Sequence, residues 1–216
     1  MPSKRATVRA LLDRHGQTFA EELGIKLDPP TPSGLYRLLC ASVLYSARID
    51  SELAARSARS LSRRRWRTAR AMAQSSWEDR VDALTEGGYT RYRERTATML
   101  GDLSAFLLDR YDGDLRRLRE EAERDPDRER RLLKQVKGLG DVGVDIFFRE
   151  VQVTWHELVP FADRRALRAA GKLKLDDDPR RLYRLVDGPV DFARLTAALV
   201  RTELAGDHDA ILEAAR

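Results

Sequence analysis

Two glycines one residue apart, in Val136-Lys137-Gly138-Leu139-Gly140-Asp141, are the first residues of this chain whose type and spacing could do chemistry. Glycine enters backbone conformations that are closed to other residues, so the pair marks a compact turn. Where such a turn opens a helix, backbone N–H groups at the helix N-terminus point outward and bind an anion, such as a phosphate, without reading sequence. Leu139 is placed to plug the gap between the two flanking helices, and Lys137 and Arg149 are basic residues placed for phosphate. On Gly-x-Gly alone, an ordinary helix connection with a glycine C-cap is the simpler account. Further along, Val159-Pro160-Phe161-Ala162-Asp163-Arg164-Arg165 sets an aspartate before a helix expected from Arg164 to Ala170, with Gly171 closing it. Asp163 there is an N-cap by its pattern. A cap also fixes a carboxylate at a helix end, so structural and chemical roles are compatible.

Other chemistries find no support in the residues. His15, His156 and His208 are far apart in sequence, and none has a second ligand at metal spacing, so no metal site is expected. Cys40 is the one cysteine and lies in the apolar run Leu38-Leu39-Cys40-Ala41, which excludes an intrachain disulfide and any four-cysteine zinc or iron–sulfur site. No Gly-rich nucleotide loop and no supported Ser/His/Asp arrangement occurs. No cofactor is expected.

The hairpin followed by Asp163, in that order, resembles the helix-hairpin-helix DNA glycosylase superfamily, of the endonuclease III type. Leu38-Leu39-Cys40-Ala41-Ser42-Val43-Leu44-Tyr45-Ser46-Ala47-Arg48 is similar to that family's first core helix with its DNA-facing end, and Gly87-Gly88-Tyr89-Thr90-Arg91-Tyr92 to its glycine–aromatic turn. The resemblance runs from about residue 33 to 205. It implies an all-α, two-lobed helical bundle with the site in the inter-lobe cleft, duplex DNA as partner, and a nucleotide flipped out for removal of its base. On it, Asp163 is the catalytic carboxylate, stabilising positive charge on the sugar as the glycosidic bond breaks and helping to orient water. Gly138, Leu139, Gly140 and Lys137 anchor phosphate, Arg48 probes the gap left by the flipped base, and Tyr45 or Tyr89 stacks on it. Ordinary readings of these last three are a surface arginine and core or rim tyrosines.

Departures from the family pattern narrow the chemistry. Members that also cut the backbone carry a lysine two residues after the second hairpin glycine, and this chain has Val142 there. Without that amine no Schiff base forms at that position, which leaves a monofunctional N-glycosylase using water. Ala41 stands where the mismatch-adenine branch has glutamate, the four-cysteine cluster is absent, and Asp141 is an unfavourable charge beside a phosphate site. The pocket without lysine or glutamate resembles that of alkylated-purine enzymes. The competing expectations are a catalytically silent helix-hairpin-helix DNA-binding protein, in which Asp163 only caps, and a helical protein scaffold without DNA affinity.

The elements that must position these residues read as helices almost throughout. Apolar residues recur at helical spacing, as in Leu35, Leu38, Leu39, Val43 and in Leu100, Leu103, Phe106, Leu107, and no stretch alternates like a strand. Helices are expected at 7 to 27, 33 to 47, 51 to 61, 66 to 74, 77 to 85, 90 to 111, in a charged pair between Arg116 and Arg131, up to Val136, and at 141 to 151. Thr31-Pro32 reads as an N-cap with proline at the first helical position, and Gly87-Gly88 as a helix end. Three regions follow: an N-terminal helical segment and linker at 1 to 32, a core lobe at 33 to 127, and the hairpin with the C-terminal helices at 128 to 216.

The 216 residues are 42% hydrophobic and 35% charged, enough apolar content for a real core under densely ionised surfaces. A net charge of +5 and a pI near 9.5 favour a polyanionic partner. Lysine occurs only at positions 4, 26, 134, 137, 172 and 174, so nearly all the positive charge is arginine. A GC-rich genome accounts for most of that bias. With no apolar segment after the basic N-terminus and no long apolar run, a cytoplasmic, monomeric protein without membrane attachment is expected.

Overall fold

A computed structural model describes residues 2–216, all of whose regular elements are helical. In chain order they are α1 (Lys4–His15), α2 (Phe19–Glu22), α3 (Pro32–Ser46), α4 (Ser51–Arg63), α5 (Ala69–Ala73), α6 (Trp77–Glu86), α7 (Arg93–Tyr111), α8 (Leu115–Glu121), α9 (Pro126–Leu133), α10 (Asp141–Val151), α11 (Arg164–Lys172), α12 (Pro179–Tyr183), α13 (Gly188–Ala205) and α14 (His208–Ala214), with a 3-10 turn at His156–Leu158. No helix among the described residues is long and apolar enough to cross a membrane.

Two compact units divide the chain. One comprises Leu23–Phe147, the other the chain up to Glu22 together with Phe148–Arg216. The N-terminal segment belongs with the C-terminal half, because α1 packs on α13 and α14, and the hairpin belongs with the middle of the chain.

The middle unit is built around α3, which is apolar on nearly every side from Leu35 to Leu44 and is covered by α4, α7 and α8. An all-round apolar helix is stable only when enclosed. Two of its buried polar groups are satisfied within the unit: Ser42 Oγ donates to the Leu38 carbonyl at 2.9 Å, and the Tyr36 hydroxyl meets Ser104 Oγ at 2.8 Å. Thr31 Oγ1 accepts from the Gly34 N–H at 3.0 Å, with Pro32 opening the helix, so the expected N-cap is the observed one. In the other unit α13 has the central place, burying Phe192, Leu195, Leu199 and their neighbours against α1, α11 and α12.

Several helix ends differ from the sequence reading. The segment expected at 7 to 27 starts at Lys4, capped by Ser3, and breaks at Gly16, where an added Cβ would lie 2.3 Å from the Leu12 carbonyl oxygen. The helix expected at 66 to 74 is only Ala69–Ala73, and α7 begins three residues later than expected, after Tyr92 in the left-handed region. The helix expected to reach Val136 stops at Leu133. Gly171 does not close α11. It lies inside it, the helix running to Lys172.

Leu39 is fully enclosed. Leu39→Ala is expected to lower unfolding free energy by about 2–5 kcal/mol in urea denaturation, against about 1 kcal/mol for Thr31→Ala, which removes only the cap.

Candidate nucleic-acid interface and buried carboxylate

In the hairpin, the backbone at position 138 favours glycine, and the turn packs closely on the Met99 side chain. The φ of Gly138 is +93°, and an added Cβ would stand 2.2 Å from Met99 Cε on α7. Gly140 is different, since an added Cβ there meets nothing within 4 Å. Its missing side chain therefore leaves an open approach to the backbone at the start of α10. Leu139 is 2% exposed and donates its N–H to the Val136 carbonyl at 3.0 Å, so it does plug the turn. Its seat is made by Gly143, where a Cβ would lie 2.6 Å from Leu139 Cδ1. Gly143 was not singled out from sequence, although its spacing from Gly140 on the opening turn of α10 was a usable signal.

The charges around the hairpin are largely internal pairs. Lys137 is exposed, with Nζ 3.1 Å from Asp102 Oδ2. Asp141 takes Lys134 Nζ at 2.8 Å and has Arg130 at 3.8 Å, and the Lys134 hydrogen bond, with its charge, holds the Asp141 carboxyl below the usual range. Arg130 in turn bonds Asp145 at 2.7 Å. Val142 is 57% exposed, an apolar side chain on the first turn of α10. Arg48 lies exposed just past the end of α3 and forms no ion pair among the described residues. The α3 end is near the hairpin, with Ser46 Cβ 3.7 Å from where a Gly143 Cβ would be.

Of the two tyrosines expected to stack on a base, Tyr45 is half-buried near that end of α3. Tyr89 is corrected by the structure. It is 1% exposed, its hydroxyl accepts from Thr96 Oγ1 at 3.3 Å, and burial raises its pKa, so it is a core residue beneath the glycine turn.

Asp163 is the N-cap of α11, with Oδ1 accepting from the N–H groups of Arg165 and Ala166 at 2.9 Å each. The other oxygen, Oδ2, accepts from Arg149 Nη1. Arg149 was expected to meet phosphate, and this too is corrected: it is 3% exposed, because its guanidinium is drawn inward by Asp163 and lies 5.1 Å above the Phe19 ring. Glu150, also buried, comes within 3.6 Å of Arg149 Nε and accepts the Ala20 N–H at 2.8 Å. Gln152 clamps the approach to Asp163 from both sides, donating to the Phe161 carbonyl and accepting its N–H, each at 3.0 Å. The last turn of α10 thus holds the carboxylate, its counter-ion and the loop leading to it. Sequence reading missed Glu150 and Gln152, whose signal was a charge and an amide beside the apolar residues Ile146, Phe147, Phe148 and Val151.

No family model and no curated protein matches the sequence. The fold is similar to that of a solved structure of an endonuclease III–DNA covalent intermediate, trapped as an estranged-adenine complex, with a TM-score of 0.50 and 19% identity over 93% of this chain and 86% of that one. The likeness is one of fold, an all-α architecture compatible with endonuclease III.

Removing one member of a buried pair strands the other charge. Arg149→Met is expected to cost about 3–5 kcal/mol in urea denaturation. Asp163→Asn keeps the cap and should cost less. The double variant should be more stable than the sum of the single effects by about 1–3 kcal/mol, as for groups in contact. Burial raises the Glu150 carboxyl above 4.5, more than Arg149, the Ala20 N–H and Arg201 lower it. A raised folded value means that the stability linked to its proton is fully present below about 4.5 and is lost as pH rises through the folded value. Glu150→Gln should therefore stabilise the protein in neutral urea titrations, and the gain should vanish in acid.

Proposed function

We propose that the protein acts on duplex DNA as a base-excision repair protein, working as a monomer and removing a damaged base by hydrolysis of its glycosidic bond. The observation that carries this reading is the arrangement of its parts within an endonuclease III-like fold. A glycine hairpin with an open backbone at Gly140 precedes a carboxylate fixed at the cap of α11. The N–H groups at the start of α10 suit a DNA phosphate, with Lys137 and Arg48 on the same unit as exposed cations. Val142 supplies no amine, so water is the nucleophile: its oxygen bonds to the sugar carbon, and its proton leaves with the base. Asp163 stabilises the positive sugar as the bond breaks, and its two backbone hydrogen bonds hold it in place.

A second reading, a catalytically silent DNA-binding protein, is favoured by one observation. Both oxygens of Asp163 are already engaged, and Arg149 compensates its charge. The test is base release from labelled duplexes carrying alkylated, deaminated or oxidised bases, read after alkaline cleavage. Wild type is expected to release one of them, and Asp163→Asn to do so on the order of a hundredfold more slowly or worse while DNA affinity is retained. Salt-sensitive binding with no release from any duplex would establish the silent reading. Absence of DNA binding would remove both.

A further inference from the structure

Between Arg56 and Arg70 the sequence carries seven arginines, at 56, 59, 63, 64, 65, 67 and 70, and no acidic residue. This short stretch holds more positive charge than the net +5 of the whole chain. Part of it is compensated from elsewhere: Arg56 pairs with Glu52 at 3.2 Å, Arg64 with Glu86, and Arg70 lies 3.7 Å from Asp112, while Arg59 has a partner as well. Arg63, Arg65 and Arg67 are exposed and form no ion pair within 4 Å among the described residues, Arg63 reaching Glu86 only by longer-range attraction. Arg67 Nε donates to the Ser62 carbonyl at 3.1 Å, which anchors that side chain beside the others.

The backbone presents these side chains in a defined turn. Trp66 N–H donates to the Leu61 carbonyl and Arg65 N–H to that of Ser62, both at 3.1 Å, the hydrogen-bond pattern of a Schellman helix end. Arg65 holds the left-handed position of that motif, with φ +64°, where glycine is the usual residue. Trp66 beside it is half-buried, with the Arg64 guanidinium 5.7 Å from its ring.

The turn lies far from the hairpin. Ser33 Oγ, on the first turn of α3, donates to the Arg67 carbonyl at 2.9 Å, whereas the hairpin is near Ser46 at the other end of α3. A helix of this length separates its ends by roughly 20 Å at a rise of about 1.5 Å per residue. At roughly 20 Å from the hairpin, these arginines form a contact zone separate from the phosphate-binding turn.

We propose that Arg63, Arg65 and Arg67 form a second duplex-DNA backbone site, by which one protein molecule holds two DNA segments. The partner is assigned by charge and geometry, since exposed guanidinium groups outside any close ion pair suit phosphate oxygens, and cations that displace condensed counterions gain affinity from it. This deepens the DNA-binding reading and rests on it.

The test captures protein on an immobilised short duplex and then adds a fluorescent second duplex. Wild type should retain the second duplex. Arg63→Gln/Arg65→Gly/Arg67→Gln should retain under a tenth as much, with binding of the first duplex within about threefold of wild type. Its salt dependence for the second duplex should fall by about 0.9 in log–log slope for each phosphate no longer neutralised. Arg65→Gly alone separates charge from folding: its melting temperature should equal or exceed that of wild type while capture falls severalfold. Lys137→Glu should weaken the first binding event and leave the melting temperature unchanged. Wild type that binds the first duplex but never a second, or a triple variant that captures like wild type, overturns the proposal while the DNA-binding reading stands. So does capture of anionic phospholipid vesicles in place of the second duplex. Failure of wild type to bind even the first duplex overturns both.

Discussion

The buried ion pair between Arg149 and Asp163 is the interaction on which the candidate carboxylate site depends. Taking two charges out of water costs several kcal/mol per ion, and only close partners and further hydrogen bonds offset that. The structure provides them: two cap N–H groups on one Asp163 oxygen, the guanidinium on the other, and the Phe19 ring beneath Arg149. Because these partners come from α2, α10 and the start of α11, the carboxylate is oriented by the whole unit. The same pair limits its chemistry, since a charge already compensated does less for a developing cation than a free one.

The hairpin follows a different logic, in which small residues make room. Gly138 lets the turn lie against Met99, Gly143 receives Leu139, and Gly140 leaves backbone open to whatever approaches. Most cations near it are spent on neighbouring carboxylates, Lys137 on Asp102 and Lys134 on Asp141. Such exposed pairs contribute little to stability, and a phosphate can compete for the lysines. Three exposed arginines outside any close ion pair, Arg63, Arg65 and Arg67, lie instead at the far end of α3, on a part of the unit separate from the hairpin.

What was legible in the sequence was local. Apolar spacing predicted α3, α7 and α10, because a helix must turn one stripe toward a core whatever that core is. Caps were legible for the same reason: Thr31 and Asp163 each bond N–H groups two or three residues away, so no distant partner is involved. Gly138 was legible through the turn it must make. Helix ends were less so, and Arg65 shows why, since a non-glycine residue in a left-handed cap carries no recognisable stop signal.

By itself, then, the sequence determined an all-helical chain with a glycine hairpin ahead of a capping aspartate. Only the tertiary structure decided that Arg149 turns inward to that aspartate, that Tyr89 is core, and that the N-terminal helices belong with the C-terminal half. Each of these outcomes is set by residues far apart in the chain, as when Glu150 accepts the Ala20 N–H. Whether an arginine faces water or a buried carboxylate depends on the desolvation cost and on the partners that offset it, and those partners exist only once the helices have packed.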